Sequence, residues 1–169
     1  MMARLFALMF LAACTVLGHD ARAQALATPT GPVLLTVSGA IANTNAPGKA
    51  EFDRAMFEAL GLSDLTTSTP YTDGKPTFRG IVMSKVLDAV GATGQKLRAI
   101  AANGYQIELD VDEMRRYPIL IALEQDGKPL RLRDRGPLWV ILPSDQYPEF
   151  QADSQNFKSI WQLTALEVR

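Results

Sequence analysis

ILIALEQDGKPLRLRDRGPLWVILP, residues 119–143, holds the pattern that decides the fold. Ile119 to Leu123 and Leu130 to Arg133 flank Asp126-Gly127, a dipeptide suited to a two-residue hairpin because both positions tolerate positive φ. Leu138 to Leu142 is apolar without a break and stops at Pro143. So short a continuous run, bounded by turn residues, describes a strand buried on both faces. Two apolar strands and a hairpin within 25 residues place a sheet at the centre of this domain.

Outward from that centre the chain alternates between strands and short helices. Leu97 to Ala101 and Tyr105 to Leu109 form a second hairpin through Asn103-Gly104. Val33 to Ser38 reads as a first strand, Leu65 to Thr69 as a short Thr-rich one, and Trp161 to Val168 as the last. The last is expected to set Trp161 and Leu163 on one face. Phe52, Ala55, Met56, Ala59 and Leu60 fall at helical spacing, so a helix is expected over Ala50 to Leu60, stopped by Gly61. Ser84 to Val90 is the second helix, with Ser84 as its N-cap, and Asp112 to Tyr117 forms one further turn. The expectation is an α+β fold with a mostly antiparallel mixed sheet and two main helices.

The N-terminus carries a different message. Met1 to Arg4 bears one basic charge, Leu5 to Leu17 is mainly apolar, and Ala23-Gln24-Ala25 matches an A-x-A cleavage site. That order describes a secretory signal peptide over residues 1–25 and a mature domain over 26–169, periplasmic or secreted. The apolar run is too short to cross a bilayer as a helix. The alternative is a lipobox, Leu11-Ala12-Ala13-Cys14, which anchors the protein to a membrane surface through lipidated Cys14. Cys14 and His19 are the only cysteine and histidine of the 169 residues. Cleavage after Ala25 therefore removes the usual thiolate nucleophile, metal ligands and neutral-pH proton shuttle together. It also removes Arg4, Arg22 and Asp20, leaving a chain one unit more acidic than the full-length net charge of −1. No basic excess calls for nucleic acid, and no second apolar run calls for a membrane span.

Four blocks in order resemble the molybdopterin-binding domain of the sulfite-oxidase-like oxidoreductases. They are Phe78-Arg79-Gly80-Ile81 leading into Val86 to Ala92; Ala102-Asn103-Gly104-Tyr105; Leu123 to Leu130 running into Arg135 to Pro143; and Ile160 to Leu163 with Leu166-Glu167-Val168. The resemblance covers about residues 33–169 and implies a mixed α+β fold with molybdopterin as cofactor. It also implies a cysteine ligand to molybdenum, on the segment that here spans Leu65 to Thr69. That segment offers Thr66, Thr67 and Ser68 and no cysteine. The family arginine between the two prolines of its P-x-R-x-x-x-P strand is here Trp139, and the lysine before the last strand's tryptophan is Ile160. The expectation is a non-catalytic ligand-binding, sensory or accessory module. Its partner would be a small anionic ligand or a membrane sensor protein. The alternative is a molybdopterin-dependent oxidoreductase with no cysteine ligand.

Candidate cofactor-binding residues are Thr66, Thr67, Ser68, Arg79, Arg131, Arg133, Arg135 and Trp139. Alternation puts Arg131, Arg133 and Arg135 on one face of an expected strand, where forked donors suit a phosphate or carboxylate. A solvated face with Asp134 beside it is the plainer reading. Glu108, Asp110, Asp112 and Glu113 cluster as calcium ligands do, yet they lack a calcium-loop glycine pattern, and Asp110 and Asp112 suit helix caps. Trp139 and Trp161 suit either core packing or stacking on a flat ligand.

Overall fold

The computed structural model describes residues 26–169; the expected signal peptide over 1–25 and the lipobox alternative at Cys14 lie outside the described residues. Ten strands and three short helices follow one another as β1 Leu35–Gly39, β2 Lys49–Phe52, α1 Arg54–Ala59, β3 Ser63–Thr66, β4 Thr77–Val82, α2 Met83–Ala89, β5 Lys96–Ala101, β6 Gln106–Asp110, α3 Val111–Arg116, β7 Leu120–Gln125, β8 Lys128–Pro129, β9 Trp139–Ile141 and β10 Leu163–Val168. One sheet runs β2-β1-β10-β5-β6 and is antiparallel except where β1 lies parallel to β10. The other runs β3-β4-β7, with β8 and β9 both beside β7, all antiparallel. This is the expected α+β class, with mixed sheets and few helices. Among the described residues no helix is long and apolar enough to cross a membrane.

The sheets bury two apolar cores, and β7 and β9 separate them. Ile121 and Leu123 of β7 join the larger core with Val140 of β9, Phe52, Phe57, Met83 and Leu87. Leu120 and Ala122 point the other way, into a smaller core of Leu65, Phe78, Leu130, Trp139 and Ile141. A strand sandwiched on both faces has no polar position, which explains the unbroken apolar runs at 119–123 and 138–142. Both hairpins form where Asn103-Gly104 and Asp126-Gly127 require them, with Gly104 at φ 82 and Asp126 and Gly127 at φ 50 and 73.

Several elements differ from expectation. The helix over 50–60 begins only at Arg54, because Ala50 and Phe52 alternate inward from β2. Asp53 starts it: its Oδ1 accepts the Met56 N–H at 2.9 Å. Its Oδ2 accepts the Thr30 and Gly31 N–H groups at 2.7 and 2.8 Å, which ties the entry segment to the helix. These three backbone donors, Met56 foremost, hold the Asp53 carboxyl below its usual range. The second helix begins at Met83 and not at Ser84, so Val82 occupies the N-cap with no side-chain bond. The Thr-rich strand covers Ser63–Thr66 and ends before Thr69.

The expected strand over Leu130 to Arg133 is largely absent. Only Lys128–Pro129 pairs with β7, and Leu132–Asp134 form a 3-10 turn ended by Arg135 in the left-handed region at φ 67. Arg131, Arg133 and Arg135 therefore do not share a strand face. The Arg131 guanidinium closes the turn onto Asp134 at 2.6 Å, and the Gly136 N–H donates to the Arg131 carbonyl at 2.8 Å. A Cβ on Gly136 would fall 2.2 Å from the Leu130 carbonyl oxygen, so only glycine closes this turn. The last strand begins at Leu163, since Gln162 at φ 52 interrupts it. Leu163 is fully buried while Trp161 is 36% exposed, so the two do not share a face.

Candidate functional site

The turn at 131–136 and the interrupted start of β10 lie together. A single antiparallel bridge pairs Trp139 with Trp161, and the Gln162 N–H donates to the Arg135 carbonyl at 3.0 Å. The Gln162 side-chain amide also donates to the Leu132 carbonyl at 3.0 Å. Two non-glycine residues in the left-handed region, Arg135 and Gln162, are thus stapled to each other. L-residues enter that region at a cost, so the surrounding bonds hold both in place.

The consequence is an arginine set among aromatic rings. The Arg135 guanidinium carbon lies 5.1 Å from the Trp139 ring centre, 5.8 Å from Tyr71 and 5.9 Å from Trp161. Tyr71 meets Trp161 edge-on at 5.1 Å. Behind them Phe78 meets Trp139 edge-on at 5.5 Å. The Trp139 indole N–H donates to the Ser159 hydroxyl at 3.0 Å, which donates to the Val140 carbonyl at 2.8 Å. Trp139 is fully buried, so it forms the floor of this site and serves as core as well. Arg131 and Arg133 point their charge at Asp134, whose carboxyl Arg131 above all holds below its usual range. Among the described residues Arg135 faces rings in place of a carboxylate.

A small cleft of about 250 Å³ opens beside the cage, lined by Tyr71, Tyr105, Phe157, Ile160 and Trp161, with Asn103 and Asn156 at its polar edge. On the other side of Tyr71 a wider, polar cleft is lined by Lys128, Arg131, Arg133 and Arg135 together with Asp73, Asp126 and Asp134. Tyr71, Tyr105 and Phe157 carry no local sequence signal as site residues. They come from the β3–β4 loop, the β5–β6 hairpin and the 153–158 turn, and only the fold brings them together.

The remaining candidates go elsewhere. The Thr66 hydroxyl pairs with that of Thr77 at 2.8 Å on the exposed β3–β4 ladder. Thr67 is fully buried; its hydroxyl accepts the Asp145 N–H at 3.2 Å and donates to the Ser68 carbonyl at 3.3 Å. The Ser68 hydroxyl donates to Asp145 Oδ1 at 2.5 Å, and its N–H donates to Oδ2 at 3.2 Å. Lys75 reaches the same carboxylate at 3.1 Å. These partners, the Ser68 hydroxyl first, hold the Asp145 carboxyl below its usual range. Arg79 is exposed and pairs with Asp64 at 3.2 Å. It alternates with Phe78 along β4, so it lies on the face away from Trp139.

The acidic group at 108–113 is structural. Asp110 caps α3 by accepting the Glu113 N–H at 3.1 Å, and Glu113 takes Lys158 at 2.7 Å. No group of three metal-ligating side chains exists among the described residues.

A likeness to solved structures bears on this arrangement. The crystal structure of the sulfane dehydrogenase SoxCD from Paracoccus pantotrophus superimposes with a TM-score of 0.59 at 14% identity. The match covers 79% of this chain and 37% of that one. The chain shares its fold, distantly, with part of that enzyme. At this identity the likeness speaks for architecture alone. No family model and no curated protein matches the chain.

The resemblance read from the sequence implies a molybdenum centre near residues 66–68. The soft anionic ligand such a centre takes is a thiolate. The segment at 66–68 supplies neutral hydroxyls, and those of Thr67 and Ser68 are already engaged with Asp145 and its surroundings. A hydroxyl that donates to a carboxylate is held protonated, the opposite of what a metal ligand needs. The residues do not fit the group.

Proposed function

We propose that this chain is a non-catalytic binding module on a molybdopterin-oxidoreductase-like scaffold, exported behind the leader at 1–25, and that it takes a small anionic ligand. One observation carries the reading: Ser68 and Thr67, in the segment where the resemblance implies a metal ligand, are bonded to Asp145, which is also paired with Lys75. That network engages the hydroxyls of Thr67 and Ser68 internally and leaves no thiolate there, and its one anion, the Asp145 carboxylate, is already paired with Lys75. The cage around Arg135 supports the second half, because a partly buried guanidinium with no carboxylate partner among the described residues is a ready receptor for an anion. The test is elemental and pterin analysis of protein expressed in a cell that makes the molybdenum cofactor and purified under mild conditions. The expected molybdenum content is far below one per chain. Near-stoichiometric molybdenum refutes the proposal in favour of an oxidoreductase without a cysteine ligand.

A further inference from the structure

Five large apolar side chains are exposed among the described residues, and three of them, Tyr105 at 49%, Phe157 at 49% and Trp161 at 36%, line the same 250 Å³ cleft. Scattered exposed apolar groups are ordinary on a protein surface; three rings converging on one concavity are not. The wall of that cleft is Tyr71, set edge-on against Trp161, and the guanidinium of Arg135 lies within 6 Å of both ring centres. Tyr71 is shared with the neighbouring polar cleft, where four basic side chains stand against three acidic ones. Arg131 and Arg133 are paired with Asp134, whereas Lys128 and Arg135 make no ion pair among the described residues; of these two, Arg135 is the one set against the aromatic rings. Its backbone is held left-handed by its bond to Gln162, so its position is fixed by the chain and not by an ion pair.

We propose that this cleft binds a small organic anion with a flat apolar body, an aromatic carboxylate or sulfonate of one or two rings. The ring lies among Tyr105, Phe157 and Trp161, and the anionic group reaches Arg135 past Tyr71. The size of the cleft sets the upper limit, since it falls just below the range of about 300–1,000 Å³ typical of drug-sized ligands. This inference rests on the binding-module reading and names its ligand class and site.

The experiment titrates the purified, metal-free chain with 2-naphthoate, with the uncharged 2-naphthamide and with acetate, by calorimetry and by NMR of the tryptophan indole and arginine side-chain signals. Naphthoate is expected to bind most tightly and to shift the Trp161 and Arg135 signals. Arg135→Asn, whose new residue tolerates the left-handed backbone, is expected to weaken naphthoate by about tenfold or more while leaving naphthamide unchanged. Trp161→Ala is expected to weaken both. Circular dichroism checks that each variant is folded. The inference is overturned if naphthoate binds no better than naphthamide, if Arg135→Asn weakens both alike, or if the shifted signals lie away from the cleft. Because the titration uses metal-free protein, its failure sinks this site without touching the reading that no molybdenum is bound. A stoichiometric molybdenum content sinks that reading without deciding the titration.

Discussion

Trp139 is where fold and site share one side chain, and replacing it separates their energetics. The indole is fully buried between Phe78, Tyr71 and the Arg135 guanidinium, and its N–H donates to Ser159. Trp139→Ala empties the centre of the smaller core. A buried tryptophan cut back to alanine costs about 3–5 kcal/mol from lost burial and the cavity left behind. Against a typical total of roughly 5–15 kcal/mol that is a large fraction, and it lowers the melting midpoint by roughly 10 °C or more. Trp139→Phe keeps a ring against Phe78 and removes the hydrogen bond to Ser159, for about 1–2 kcal/mol. Urea denaturation of the two variants measures both, with an unchanged m-value showing that the same surface is exposed. Trp161, partly exposed and retained, reports the transition by its fluorescence. A Trp139→Ala cost below about 1 kcal/mol, or one equal to that of Trp139→Phe, would refute the assignment of Trp139 to a packed second core.

Three further outcomes are expected. Gly80→Ala is expected to be severely destabilising or insoluble, because the added Cβ falls 2.0 Å from the Ile121 carbonyl oxygen and backbone must move; wild-type-like melting contradicts it. Asp53, Asp110, Asp134 and Asp145 all have carboxyls held below the ordinary aspartate range by hydrogen-bond donors, so the folded state binds fewer protons than the unfolded. Their contribution is full above about pH 4 and is lost as pH falls through the folded values, so Asp145→Asn is expected to shallow the acid limb of the stability–pH curve. An unchanged acid limb argues against the Ser68–Asp145–Lys75 network. Cleavage after Ala25 predicts an intact mass beginning at Leu26 in exported material, whereas a diacylglycerol-modified Cys14 overturns that proposal for the lipoprotein one.

The sheet holding β7 and β9 was legible because both strands are buried on both faces and leave a continuous apolar trace, and because Asp126-Gly127 marks the β7–β8 hairpin; in the other sheet Asn103-Gly104 marks that of β5 and β6. The start of the first helix was not, since Ala50 and Phe52 fit a two-residue period as well as a helical one. Asp53, a good capping residue in mid-pattern, was the signal that separated them. Arg131, Leu132 and Arg133 likewise mimic a strand by alternation. What wins is local: the Arg131–Asp134 ion pair and the close approach at Gly136 fold the chain into a 3-10 turn. Trp161 and Leu163 alternate in sequence and diverge in space because one residue between them, Gln162, turns left-handed. No single-sequence pattern encodes that, as it depends on a bond to Arg135, a residue 27 positions away.

Arg135, expected on a strand face with Arg131 and Arg133, lies instead on a turn against aromatic rings. The resemblance implies an arginine facing the cofactor on the strand between Pro137 and Pro143, and that strand position holds Trp139. Had Trp139 only filled the space, the site would be apolar throughout. Instead Arg135, four residues earlier on a left-handed turn, brings a guanidinium to 5.1 Å from the Trp139 ring. The positive charge is thus present in the same neighbourhood but enters from the turn and rests on the face of the indole. A guanidinium over aromatic rings is attracted to their π-faces and needs no carboxylate partner to be held there, so its N–H donors remain for an anion. That placement is the basis of the ligand-binding proposal, and the difference between naphthoate and naphthamide affinity is the quantity that tests it.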